Sequence, residues 1–127
     1  MAQSILIAED DEAIRILLKE VLQAEGYHVF TSSQGREALD ILPHENIDLI
    51  ISDINMPIMN GFELLETVAN DYPDIQRILM TAYNVDDYMN LIQKYNIGNI
   101  VTKGLPFDTS ELILTCEQLL NRNIFGL

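Results

Sequence analysis

The stretch from Ile47 to Gly61, I-D-L-I-I-S-D-I-N-M-P-I-M-N-G, limits the fold of this chain more than any other. Its isoleucine- and leucine-rich start, Ile47 to Ile51, ends in Ser52 and Asp53, and Asn55, Pro57 and Gly61 then supply loop formers. A short apolar run bounded by turn residues reads as a strand buried on both faces. Asp53 then stands at the strand's carboxyl end, facing a loop.

The remaining segments repeat the alternation. Ile5 to Ala8 is an apolar run that stops at Glu9-Asp10-Asp11. Ala13, Ile14, Leu17, Leu18, Val21 and Leu22 recur at helical spacing up to Gly26, a natural helix stop. Tyr27 to Thr31 is a second strand. Ser32-Ser33 is placed to cap a helix carrying Ala38, Leu39, Ile41 and Leu42 up to Pro43.

A third helix opens at Gly61 with Phe62, Leu64, Leu65 and Val68 on its apolar side. Arg77 to Thr81 forms a fourth strand, Val85 to Tyr95 a more polar helix, and Ile100 to Thr102 a short strand running into Lys103. Asp108-Thr-Ser-Glu111 has the form of a capping box for a last helix with Leu112, Ile113, Leu119 and Leu120. Strands alternating with helices mean a doubly wound α/β domain with helices on both faces of a parallel sheet.

Composition narrows the function. The chain has 127 residues, enough for one core, and 48% of them are apolar. A formal charge of −13 argues against direct binding to nucleic acid or anionic membrane. No stretch has the form of a signal peptide or a membrane span, and Cys116, the only cysteine, reads as a packing residue in an apolar helix. A reducing cytoplasm fits these features.

In open parallel sheets, ligands sit beyond the strands' carboxyl ends, where the strand order reverses. Those ends carry Glu9, Asp10 and Asp11, then Asp53, Thr81 and Lys103. With the order 2-1-3-4-5, strands one and three are neighbours and their acids meet. Among clustered carboxylates one stays protonated unless a cation is present, and oxygen ligands without His or Cys favour Mg²⁺; neither His28 nor His44 falls at a strand's carboxyl end. For Asp10 and Asp11 the plain alternative is capping of the first helix, and for Lys103 a strand-end lysine reaching solvent. Acids, Mg²⁺, a lysine and a hydroxyl together suit phosphoryl transfer, with a carboxylate as nucleophile.

These residues closely resemble the receiver domain of bacterial two-component response regulators. The likeness rests on I-L-I-A-E-D-D, D-L-I-I-S-D-I-N-M-P-I-M-N-G, L-M-T-A and I-V-T-K, and runs over essentially the whole chain. It implies a (βα)5 flavodoxin-like three-layer sandwich in which Asp53 accepts a phosphoryl group from a sensor histidine kinase or phosphotransfer protein. It also implies Mg²⁺ bound by Asp10, Asp11, Asp53 and the Asn55 backbone carbonyl, with Thr81 as the switch hydroxyl and Lys103 as the family's lysine. The domain would be a signalling module that catalyses only its own phosphorylation and dephosphorylation.

Output would pass through the face of helix four, strand five and helix five, including Tyr95 and Ile97. An output domain or target would dock there, and homodimerisation on phosphorylation would use it too. The apolar ending Ile124-Phe125-Gly126-Leu127 is odd for a free terminus and reads as a receiver cut from a longer chain with a C-terminal output region, the other reading being a stand-alone phosphorelay member.

Two positions depart from the family pattern. Gly104 follows Lys103 where proline is usual, and Ile100 stands where the family has a switch aromatic. Tyr83 is the nearest aromatic substitute, and its bulk would slow attack of water on a phosphorylated Asp53. Other readings are a haloacid-dehalogenase-like phosphatase, disfavoured by Asn55 where a second aspartate is needed, and a flavin carrier, disfavoured by the acids after strand one. The last is a phosphorylation-independent pseudo-receiver.

Overall fold

The computed structural model describes residues 2–82, 84–104 and 107–120. Tyr83, Pro106 and the segment 121–127 lie outside these described residues. The elements are β1 (Ser4–Ala8), α1 (Glu12–Ala24), β2 (His28–Ser32), α2 (Gly35–Ile41), β3 (Leu49–Asp53), α3 (Gly61–Asp71) and β4 (Gln76–Thr81). A 3-10 turn, Val85–Tyr88, then runs into α4 (Met89–Lys94), followed by β5 (Ile100–Thr102) and α5 (Ser110–Leu119).

All strand pairs are parallel, and the order is β2-β1-β3-β4-β5, as the switch-point argument requires. Alternation along each strand divides the core in two. Leu6, Ala8, Ile50 and Leu79 pack with Ala38 of α2, Leu64, Leu65 and Val68 of α3 and Ile92 of α4. Ile5, Ile7, Leu49, Ile51, Ile78, Met80 and Val101 face Leu18 and Leu22 of α1 and Leu112 and Cys116 of α5. Every residue of β3 is buried, which is why it reads as continuously apolar until its chemistry begins.

Helix ends follow local chemistry. After α1, Gly26 adopts φ 93°, the Gly26 N–H donates to the Gln23 carbonyl, and the Tyr27 N–H donates to that of Leu22. That pair of bonds closes the helix as a Schellman turn, which favours glycine at the left-handed position. At α3 the Asn60 side chain accepts from the Glu63 N–H while the Glu63 carboxylate accepts from the Asn60 N–H, a complete capping box.

Three expected details differ. Ser32 does not cap α2: it is the buried last residue of β2 and donates to the Ile7 carbonyl, which leaves Gln34 at the cap without a side-chain bond. The Asp108 to Glu111 box does not form either. Asp108 instead accepts from the Ser110 N–H at 2.9 Å, a two-residue turn that makes Thr109 the cap. The fourth helix starts as a 3-10 turn because Asn84 accepts the Asp86 N–H on its side chain and the Asp87 N–H on its carbonyl.

Candidate functional site

The register of the sheet builds the site. Ala8 pairs with Ser52, which sets Glu9 level with Asp53 on neighbouring strands; Asp53 in turn pairs with Met80. Beyond Thr102, which pairs with Thr81, the chain delivers Lys103 to the same end of the sheet. Glu9, Asp10, Asp11, Ile14, Asp53, Asn55, Ala82 and Lys103 line an open cleft of about 270 Å³ there.

Lys103 joins the two strands. Its Nζ lies 3.1 Å from Glu9 Oε2 and 3.3 Å from Asp53 Oδ1, and the Lys103 N–H donates to the Thr81 carbonyl at 2.7 Å. Carboxylate oxygens of Glu9, Asp10 and Asp53 all fall within 4.8 Å of one another. Asp11 sits differently: it is the N-cap of α1, and its side chain accepts from the Ile14 N–H at 3.1 Å. Of the acids at the end of β1, Glu9 and Asp10 thus converge on Asp53, while Asp11 lines the rim and holds the helix. Thr81 is buried at the end of β4, and Asn55 is exposed on the cleft wall.

Glu9, one of the strand-end acids, is wholly buried, and strand register, not a local pattern, sets it against Lys103. Arg15 reaches back from α1 to the Glu9 and Asp10 carbonyls, at 2.8 and 3.4 Å, and tethers the acidic loop. Helical spacing marks Arg15 only as a neighbour of that loop.

Burial shapes the electrostatics. Desolvation pushes the Glu9 carboxyl up to about 7, with the Asp53 charge adding to the rise and Lys103 opposing it. Asp53 is raised as well, burial again leading, against Lys103 and the Ile54 N–H. Lys103 is pulled down by burial, but Asp53 and Glu9 outweigh that and leave it raised.

A pH dependence follows for metal-free protein. An unfolded chain ionises Glu9 near the ordinary 4.5, whereas the folded one holds the proton to about 7. Folding is therefore unpenalised by Glu9 below the lower value, loses stability between the two, and bears the full penalty above the upper one. The rise at Asp53 acts in the same direction, and Lys103 titrates above this window. In EDTA, stability from urea unfolding should fall by about 1–3 kcal/mol between about pH 5 and pH 8, and Glu9→Gln should flatten that slope. Equal slopes for the two proteins would contradict this account.

Gly61 closes the loop beneath Asp53. Its N–H donates to the Ile54 carbonyl at 2.8 Å, and a Cβ here would stand 2.2 Å from the Asp53 carbonyl oxygen. Backbone, not a flexible side chain, blocks that space. Gly61→Ala should cost about 3 kcal/mol and displace Asp53, whereas Gly98→Ala, with nothing within 4 Å, should stay within roughly 0.5 kcal/mol. Thermal unfolding of the pair measures the difference, and equal melting temperatures would refute it.

Residues 5–117 match the response regulator receiver domain family. Sporulation initiation phosphotransferase F of Bacillus subtilis is 38% identical over 112 residues, spanning 88% of this chain and 89% of that protein. Response regulator protein FleR of Pseudomonas aeruginosa is 34% identical over 113 residues, but the chain spans only 24% of its length.

Among solved structures, response regulator TrrA of Thermotoga maritima, in complex with Mg²⁺ and BeF, superposes with TM-score 0.82 at 36% identity. The match covers 92% of this chain and 98% of that one. A CheY-like receiver domain from Methanospirillum hungatei gives TM-score 0.86 at 28% identity, with 95% of each chain covered. The chain belongs to the response-regulator receiver family, whose domains are the phosphoacceptors of two-component signalling.

Proposed function

We propose that Asp53 is the phosphoacceptor of this domain, with Lys103 and Thr81 beside it and Mg²⁺ as the required ion. The observation that carries the reading is Lys103 held between Glu9 and Asp53 in a cleft with three converging carboxylates. Three acids against one lysine leave excess negative charge, and an all-oxygen donor set suits a hard divalent cation. Asp10, Asp53 and the Asn55 carbonyl would hold it, with Asp11 at the rim and Glu9 completing the acidic wall. Bound Mg²⁺ would neutralise charge on the incoming phosphoryl group.

The protein's own part is positional and electrostatic. Lys103, 3.3 Å away, favours the ionised form of Asp53, so no general base is needed. An Asp53 oxygen attacks phosphorus, forming the O–P bond as the bond to the donor breaks, and the donor atom keeps that electron pair. Lys103 then faces an equatorial phosphoryl oxygen, and the Thr81 hydroxyl a second.

The donor in this reading is a sensor histidine kinase or phosphotransfer protein in the cytoplasm. Output passes through the α4-β5-α5 face to a C-terminal region of a longer chain or to a separate target, with homodimerisation on phosphorylation using the same face. Exposed Met89, Leu91 and Leu114 fit that face. Ile97 does not belong to it: it is buried in the core with Ile92 and Leu79, and Tyr95 is half-buried.

Incubation with acetyl phosphate and Mg²⁺, followed by intact mass, tests the proposal. One hydroxylamine-labile phosphoryl adduct, absent in EDTA, is expected. A protein that stays unmodified with Mg²⁺ present would overturn it.

A further inference from the structure

In the family pattern a β5 aromatic carries the signal outward, and here β5 reads Ile100-Val101-Thr102, with no ring. The rings lie elsewhere. Phe62, 1% exposed, follows directly after Gly61, the glycine pressed against the Asp53 carbonyl. Its ring stacks on Tyr95 at 5.6 Å and 25°, and meets Tyr88 at 6.1 Å and 38°. Tyr88 is the N-cap of α4 and Tyr95 its C-cap, so one buried ring touches both ends of that helix. The Lys94 ammonium lies over the Tyr95 ring, 5.2 Å from its centroid.

We propose that the Phe62, Tyr88 and Tyr95 clamp couples Asp53 to α4 in this protein, in place of a β5 aromatic. The inference rests on Asp53 being the phosphoacceptor. Its first link is stiff. Gly61 bonds to the Ile54 carbonyl, and the Asn60 to Glu63 capping box locks the loop's end to α3, so a shift at Asp53 displaces Phe62.

The second link is pliant. α4 spans only six residues, follows a 3-10 turn, and buries Ile92 alone among its own side chains. A helix that short has no stability of its own, so its position is set by what it packs on. Rings in contact favour offset or tilted geometries, and moving the middle ring re-seats both ends of α4 together. The terminal residues of α4 thereby report on the acceptor site, and its exposed Met89 and Leu91 present the result to a partner.

Phe62 and Tyr95 act here as positioning residues, outside the cleft itself. The test is a titration of the full chain with Mg²⁺ and beryllofluoride. Fluorine NMR follows occupancy at Asp53, and backbone amide shifts follow residues 84–95. The chain as it stands should show full occupancy together with shifts concentrated at 88–95. Phe62→Leu and Tyr95→Leu should bind the probe equally well but lose those shifts, a coupling loss of on the order of fivefold. Tyr95→Phe, which keeps the ring, should behave as the unaltered protein.

Full shifts in both leucine variants would overturn the clamp, as would their loss in Tyr95→Phe. Because Tyr95 is half-buried, its variant keeps the question open to measurement if Phe62→Leu unfolds. No fluorine signal in the unaltered protein would instead defeat the acceptor reading on which the clamp depends.

Discussion

Asp53→Asn is expected to abolish the phosphoryl adduct, by more than about a thousandfold in rate, while the domain stays folded. The amide is nearly isosteric but is not a nucleophile toward phosphorus. Stability should move the other way. Asp53 is 7% exposed and its carboxyl is raised chiefly by burial, so its charge costs the fold energy. With Asn in place, Lys103 retains Glu9 at 3.1 Å, and one like-charge contact disappears from the cluster. Stability at neutral pH should rise by on the order of 1 kcal/mol. Intact mass and urea unfolding on one preparation separate the effects: an adduct of normal yield would place the acceptor elsewhere, and unfolding would void the isosteric argument.

Lys103→Met should be the second largest effect, and it should hit chemistry and stability together. Methionine keeps the apolar stem and removes the ammonium, so the loss reports charge more than packing. Glu9 and Asp53 then lose the one cation that, among the described residues, lies beside both. Breaking a buried pair from one side commonly costs about 3–5 kcal/mol. Here Glu9 already holds its proton up to about 7, so protonation relieves part of the strain. A net loss of roughly 2 kcal/mol follows. Phosphorylation should slow by about a hundredfold, since one preorganised charge no longer faces the phosphoryl oxygens. A rate near that of the unaltered protein would remove Lys103 from the chemistry.

How far the sequence reaches is clearest at β3. Its apolar run, the polar stop at Ser52-Asp53 and the glycine at 61 dictate a strand buried on both faces with a carboxylate at its end, because local burial and turn chemistry are written residue by residue. α1 with Gly26, and α3 opening at Gly61, were legible for the same reason. The caps of α2 and α5 were not. Whether Ser32 bonds a helix end or the Ile7 carbonyl depends on β2 lying against β1, and that pairing is not local.

The site divides in the same way. The residue types at the strand ends, and with them the proposal of a metal-dependent phosphoryl chemistry on Asp53, come from the sequence alone. Which acids converge was decided by register: Ala8 opposite Ser52 sends Glu9 inward to Lys103, while Asp11 turns to cap α1. The Phe62 clamp on both ends of α4 likewise joins residues distant along the chain, brought together because α3 and α4 share one face of the sheet. Residue chemistry is a property of each position, whereas register and packing are properties of the whole sheet, and only the folded sheet determines them.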